Sequence, residues 1–340
     1  YGSFSEHWGT QPMTAGPVYV GAFVLMLFIL GLFIVKGPMK WALLAVTILS
    51  ILLSWGRNFM PFTDFFLDYV PMYAKFRTVA SILVIAEFTI PLLAMLALKK
   101  IVDEPEILKT QKKWFYLSFG LTGGLALLFA ILPDVFFDFN SIHDADAING
   151  LNAQLTNVLG NYPDMLANYQ QNIYPRILPS LAAMHKAVFT ADCIRSFVII
   201  AIGTALLLLF SMKKIRKEWL VGALVVLCLV DMWQVNKRYL NDEMFVSKTV
   251  REEPVQKSAA IDHILQDKTL DFRVLNLAGD TFNENETSFY LKSIGGYHAA
   301  KLRRYQELID EHIKKEIQGL ATAFNEAQGD MTKVNGDSIY

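Results

Sequence analysis

Residues 17–35 read PVYVGAFVLMLFILGLFIV, nineteen positions without one ionisable side chain beyond a single tyrosine. A helix needs about 20 apolar residues to cross the hydrocarbon of a bilayer, within a range of about 17–25. Five further runs approach that length: 40–55, 78–98, 114–132, 194–212 and 219–235. The second and last are short, and their ends borrow Trp41, Trp55, Trp219 and Trp233, which suit the aromatic belt at a membrane interface. The Gly37-Pro38 pair breaks the first hairpin, and Pro133 stops the fourth run.

The composition fits the same class. Of 340 residues, 53% are hydrophobic and 19% charged, which in long runs suits lipid better than a soluble core. A net charge of -1 argues against nucleic acid as a partner. Cys193 and Cys228 lie in or beside apolar runs and read as small buried hydrophobes.

Orientation comes from Lys and Arg. Loops 36–40, 99–113 and 213–217 carry eleven basic residues in 25 positions, whereas 56–77 and 133–193 carry five in 83. In a strict up-and-down count the three basic loops share one side, which the positive-inside rule makes cytoplasmic. Segment 1–16, the two long loops and 237–340 are then expected outside. The expected architecture is an all-α polytopic membrane domain of about six spans over 17–236, followed by a small α+β extracytoplasmic segment over 237–340. The first residue is Tyr1 and the last pair Ile339-Tyr340, so an interior piece of a longer protein is expected, with its final segment cut short.

The outer segments have local patterns of their own. Pro179 marks the start of a helix running through Cys193 into the fifth span. Residues 272–277, FRVLNL, alternate between Asp271 and Gly279 and predict a strand. From Tyr297 to Leu320 apolar residues recur at helical spacing, with Gly319 placed as a cap.

Ionisable groups inside apolar spans are costly, which singles out Glu87, four residues before Pro91, and Asp231. Each is a functional candidate or a buried hydrogen bond between helices. The loop 56–77, GRNFMPFTDFFLDYVPMYAKFR, interleaves aromatics with Arg57, Asp64, Asp68, Lys75 and Arg77. Between Pro61 and Pro71 it predicts an amphipathic helix at the membrane surface. Arg57, Lys75 and Arg77 either grip a phosphate, as Arg does with its planar fork, or reach separately for lipid headgroups. Asp144-Ala145-Asp146 has the acid-x-acid form with which many glycosyltransferases hold a divalent cation, a pattern that 32 acidic residues also produce by chance. His185 and His298 are outward histidines whose alternatives are catalysis and packing.

Three stretches carry a family resemblance: GTQPMTAGPVYVGA (9–22), SWGRNFMPFTDFFLDYVPMYAKFRTVASILVIAEFTIPLL (54–93) and ETSFYLKSIGGYHAAKLRRYQELI (286–309). Together they resemble the bacterial YfhO family of polytopic membrane proteins, placed in the GT-C glycosyltransferase superfamily. The resemblance implies a bacterial inner-membrane enzyme that moves a sugar from a polyprenyl-phosphate donor to a cell-envelope acceptor on the outer face. It also implies a catalytic carboxylate in a loop that precedes these residues, so no catalytic residue is assigned. The rival readings are a transporter or lipid flippase, with Glu87 as a midplane coupling site, and a non-catalytic membrane scaffold.

Overall fold

The computed structural model describes residues 18–73, 79–140, 142–160, 162–248, 251, 255–269, 271–298 and 301–326. The chain divides into two compact units, Tyr1–Met244 and Phe245–Tyr340. Within the first unit every described element is helical.

Helix α1 (Ala22–Ile34) is packed by α2 (Met39–Ser54), α4 (Val84–Asp103), α6 (Lys112–Phe119), α11 (Tyr174–Ser211) and α12 (Lys217–Tyr239). It is apolar all round, and such a helix belongs in an interior. Phe23, Met26 and Leu30 are wholly enclosed. Close approach depends on small residues. A Cβ at Gly31 would press on Leu93 at 3.0 Å, and one at Gly203 would stand 2.3 Å from the Phe23 ring. Thr47 of α2 and Thr89 of α4 share a buried hydroxyl hydrogen bond at 2.7 Å.

The outer surface of the bundle is also apolar. Phe88, Met95, Trp219, Val226, Leu229 and Trp233 are all more than half exposed. Surfaces of that size do not face water in a monomeric protein, but they match acyl chains. Among the described residues, four helical stretches are long and apolar enough to cross a bilayer: Val79–Asp103, Lys112–Ile131, Pro163–Ser211 and Lys217–Tyr239. This is a multi-pass membrane protein.

The expectation of about six spans is corrected to four or five of full length among the described residues. Helix α1 has 13 residues and extends only about 20 Å at 1.5 Å per residue, short of the roughly 30 Å hydrocarbon. Helix α2 becomes a fifth only if counted together with Gly56–Tyr69, from which it bends by 107°. At that elbow Gly56 adopts φ 49°, and the Thr63 hydroxyl donates to the Gly56 carbonyl at 2.7 Å. The turn Gly56–Phe59 leads into α3 (Met60–Tyr69), which is the aromatic helix expected between Pro61 and Pro71.

The three basic loops meet at one end of the bundle. Lys213 pairs with Glu106 at 3.8 Å, and the Ser211 hydroxyl donates to the Pro105 carbonyl at 2.9 Å. The Lys100 ammonium holds the Glu104 carboxyl below its ordinary range, and Lys36 adds to that effect. Helix α7 (Leu125–Ile131) continues the span that α6 begins, and the short helices α5 (Ile107–Thr110) and α8 (Pro133–Phe136) flank it. Helices α9 (Ile142–Leu159) and α10 (Pro163–Asn168) precede α11. Helix α11 begins at Tyr174, with Pro179 inside it, and continues unbroken through Cys193 as expected. Its 38 residues span about 57 Å, so it projects well past a bilayer's hydrocarbon.

The second unit corrects the α+β expectation. Among the described residues there is no strand, only an isolated bridge between Val274 and Ser293. Val274 exchanges backbone hydrogen bonds with Lys292 and Ile294, but its neighbours find no parallel chain. Asn276 instead donates its side-chain amide to Thr287 and accepts from the Ala278 N–H. Alternation alone does not make a strand without an edge to pair with. The last helical stretch starts at Arg303 and reaches Glu326 through a wide turn at Ile309–Ile313. Gly319 lies inside it and is not a cap. Lys314–Asp310 and Lys315–Glu311 pairs, four residues apart, support the helix there.

Candidate functional site

The end of the bundle away from the basic loops holds two polar clusters, both built on α11. The first surrounds Asp231, which is 1% exposed. Its carboxylate accepts from the Tyr19 hydroxyl at 2.9 Å and from the Ala22 backbone N–H at 2.9 Å. It thus caps α1, whose flanking residue Gly21 has φ 93° and offers no side chain for the purpose. Arg195 lies over the Tyr19 ring at 5.4 Å and 3.9 Å from Asp192, with its Nε and Nη1 buried and without a hydrogen-bond partner among the described residues. Asp192 in turn accepts a two-pronged contact from Arg238, at 2.6 and 2.5 Å.

Counting 1.5 Å per residue from the basic end, Asp231 stands about 21 Å deep, Arg195 about 24 Å, Asp192 about 29 Å and Arg238 about 32 Å. The cluster therefore runs from within the apolar layer to its far edge. Sequence reasoning selects Asp231 but misses Tyr19, Arg195, Asp192 and Arg238. The available signal is a pair of opposite charges three apart, Asp192 and Arg195, at the mouth of a span, which resembles ordinary helix-end anchoring.

The second cluster centres on His185, which is 0% exposed, as the packing alternative requires. Its Nδ1 lies 3.0 Å from the Phe139 carbonyl and 3.8 Å from an oxygen of Asp144. Asp144 is buried, whereas Asp146 is exposed. Both belong to α9, where residues two apart point to different sides. The acid-x-acid pair therefore does not converge on a cation, and Asp144 faces a histidine instead. Among the described residues no three His, Cys, Asp or Glu side chains gather as a metal site requires.

Phe139, whose carbonyl His185 meets, also lines a cavity of about 370 Å³. Its wall includes Asp134, Phe137, Asp138, Asn140, Ala183 and Lys186. Lys186 pairs with Asp134 at 2.5 Å, and Asp138 accepts from the Asn140 backbone N–H at 3.0 Å and its side-chain amide at 2.6 Å.

The remaining candidates are scattered. Arg57 is exposed on the elbow turn, and Asp64 and Asp68 are exposed on α3. Lys75 and Arg77 lie outside the described residues. Glu87 is half-buried in the first turn of α4, nearer the far end than the middle of its span, where a helix N-terminus favours negative charge. His298 is exposed in the second unit. No family model, no curated protein and no solved structure matches this chain.

Proposed function

We propose that this protein is part of a GT-C-like membrane glycosyltransferase, moving a sugar from a polyprenyl-phosphate donor to a cell-envelope acceptor on the outer face of a bacterial inner membrane. The basic loops lie on the cytoplasmic side in this reading, and the C-terminal unit lies outside.

The observation that carries it is the one-sided distribution of polar groups. Glu87, Asp231, Arg195 and Asp192, charged groups within the described helical stretches, all lie more than about 20 Å from the basic end. Between them and the charged residues of the basic helix ends, Glu218 included, the described helices hold only apolar, small or hydroxyl side chains. A carrier that moves polar cargo across the layer needs a charged or polar path through it. A transferase acting at one surface needs charged groups within the layer only near that surface, and the charges inside these helices lie that way.

In the reaction the acceptor oxygen attacks the anomeric carbon, a carboxylate takes the hydroxyl proton, and the lipid phosphate departs with the electron pair of the broken carbon–oxygen bond. Cations make that departure easier by neutralising the developing charge. Arg57, Lys75 and Arg77 are proposed for this role, with Arg57 exposed where a headgroup-level phosphate can meet it.

The test is sugar transfer by the protein in proteoliposomes supplied with a polyprenyl-phosphate sugar. Arg57→Ala and Arg77→Ala should each lower turnover tenfold or more, as loss of about 1.5–3 kcal/mol per charged hydrogen bond implies. Wild-type turnover in both variants would remove the phosphate site and favour the scaffold reading.

A further inference from the structure

The cavity beside Lys186 differs in chemistry from a phosphate site. It carries two carboxylates, Asp134 and Asp138, against one ammonium, Lys186, which is already paired with Asp134. An anion entering it meets a net negative wall, and phosphate is repelled. One oxygen of Asp134 and one of Asp138 have no hydrogen-bond partner among the described residues, so the wall offers strong acceptors to hydroxyl donors. Phe137 adds an apolar surface to the same lining.

Position and size narrow the occupant further. Lys186 stands about 38 Å from the basic end of α11, just beyond a hydrocarbon layer of about 30 Å and within reach of water. A volume of about 370 Å³ is at the low end for small-molecule sites, which run from about 300 to 1,000 Å³. The wall is also held in place from behind. His185 binds the Phe139 carbonyl, and Phe189 packs on both Phe137 and Phe139 with ring centres 4.7 and 5.5 Å apart. A backbone fixed in this way loses little freedom when a ligand arrives.

We propose that this cavity binds a neutral, hydroxyl-rich group, the end of the acceptor glycan, through the carboxylates of Asp134 and Asp138. The choice of a sugar, and of the acceptor over the donor phosphate, rests on the transferase reading. The preference for neutral hydroxyls over anions rests on the cavity alone. His185 is a positioning residue here, acting through the Phe139 carbonyl and not touching the ligand.

The experiment is saturation-transfer NMR on the full chain in phospholipid nanodiscs, which avoids sugar-headed detergents. The probes are glucose, galactose, mannose and N-acetylglucosamine, each set against glucuronate and glucose 6-phosphate. At least one neutral sugar should bind, and both anionic probes should bind more weakly. Asp138→Asn and Asp134→Asn should each weaken binding about tenfold, as loss of a hydrogen bond to a charged group implies. Ala183→Trp, which fills the cavity from the helix side, should abolish binding while circular dichroism stays unchanged. If Ala183→Trp misfolds, the two isosteric variants decide.

Absence of neutral-sugar binding, tighter binding of the anions, or indifference to both Asn variants would overturn the proposal. Failure of the transferase reading looks different. Sugar binding that depends on Asp138, in a protein that transfers nothing, keeps the cavity and removes the transferase. Transfer that Ala183→Trp leaves unchanged removes the cavity and keeps the transferase.

Discussion

Asp231, near the far end of the last span, accepts the Ala22 N–H that opens the first helix, across 209 residues of sequence. One carboxylate thereby joins the two ends of the membrane domain. The Tyr19 hydroxyl shares it, and Arg195 covers the Tyr19 ring.

Removing that carboxylate leaves a buried N–H and a hydroxyl without an acceptor. Asp231→Ala should cost about 2–3 kcal/mol, the range for a lost hydrogen bond to a charged group with its partners stranded. Asp231→Asn keeps an acceptor for Ala22 and should cost less. Thermal unfolding in a single detergent orders the two, and equal losses would count against the capping role.

Gly203 separates α11 from the Phe23 ring, and a Cβ there would stand 2.3 Å from it. Neither the enclosed ring nor the helix backbone has room to yield, so Gly203→Ala should destabilise by about 1–3 kcal/mol as an overpacked core does. A Cβ at Gly222 would meet nothing within 4 Å, so Gly222→Ala should be neutral or better. Equal unfolding temperatures for the two variants would contradict close packing at Gly203.

Acid should loosen the loop around Thr287 in the C-terminal unit. The Thr287 N–H, donating at 3.0 Å, holds the Glu284 carboxyl below its ordinary 4.5. Because the folded state binds this proton less readily, its stabilising contribution is complete above that value and lost as pH falls through the lowered one. Amide protection at 287–291, corrected for intrinsic exchange, should drop as pH falls below that ordinary value. Glu284→Gln should flatten that dependence.

Sidedness is open to chemical labelling. In a background lacking Cys193 and Cys228, an impermeant thiol reagent applied to intact cells should modify Asp146→Cys and spare Gln111→Cys, both positions being exposed. Modification of the second and not the first would invert the topology and put the cavity beside Lys186 on the cytoplasmic side.

Much of the membrane domain is legible locally. The run 17–35, the breaks at Gly37-Pro38 and Pro133 and the three lysine-rich loops place helices within a few residues of where they lie. The site is less legible. Asp231 stands out because a charge in an apolar run is costly, but nothing near it in sequence names Tyr19 as its partner. His185 and Asp144 draw notice for their chemistry, and their burial against one another depends on α9 folding back on α11.

Hydrophobicity, charge and glycine or proline breaks act within a turn or a span. The order of residues is therefore enough to show that this chain crosses a membrane in helices and that its short connecting loops 36–40, 99–113 and 213–217 are rich in lysine. Only packing in three dimensions encloses α1, turns α2 through 107° into Gly56–Tyr69, and leaves 272–277 without a partner to become a strand. Packing also sets which oxygens meet which donors around Asp231 and Lys186. These outcomes depend on surfaces brought together from distant parts of the chain, and the free energy of such contacts is not written in any one stretch.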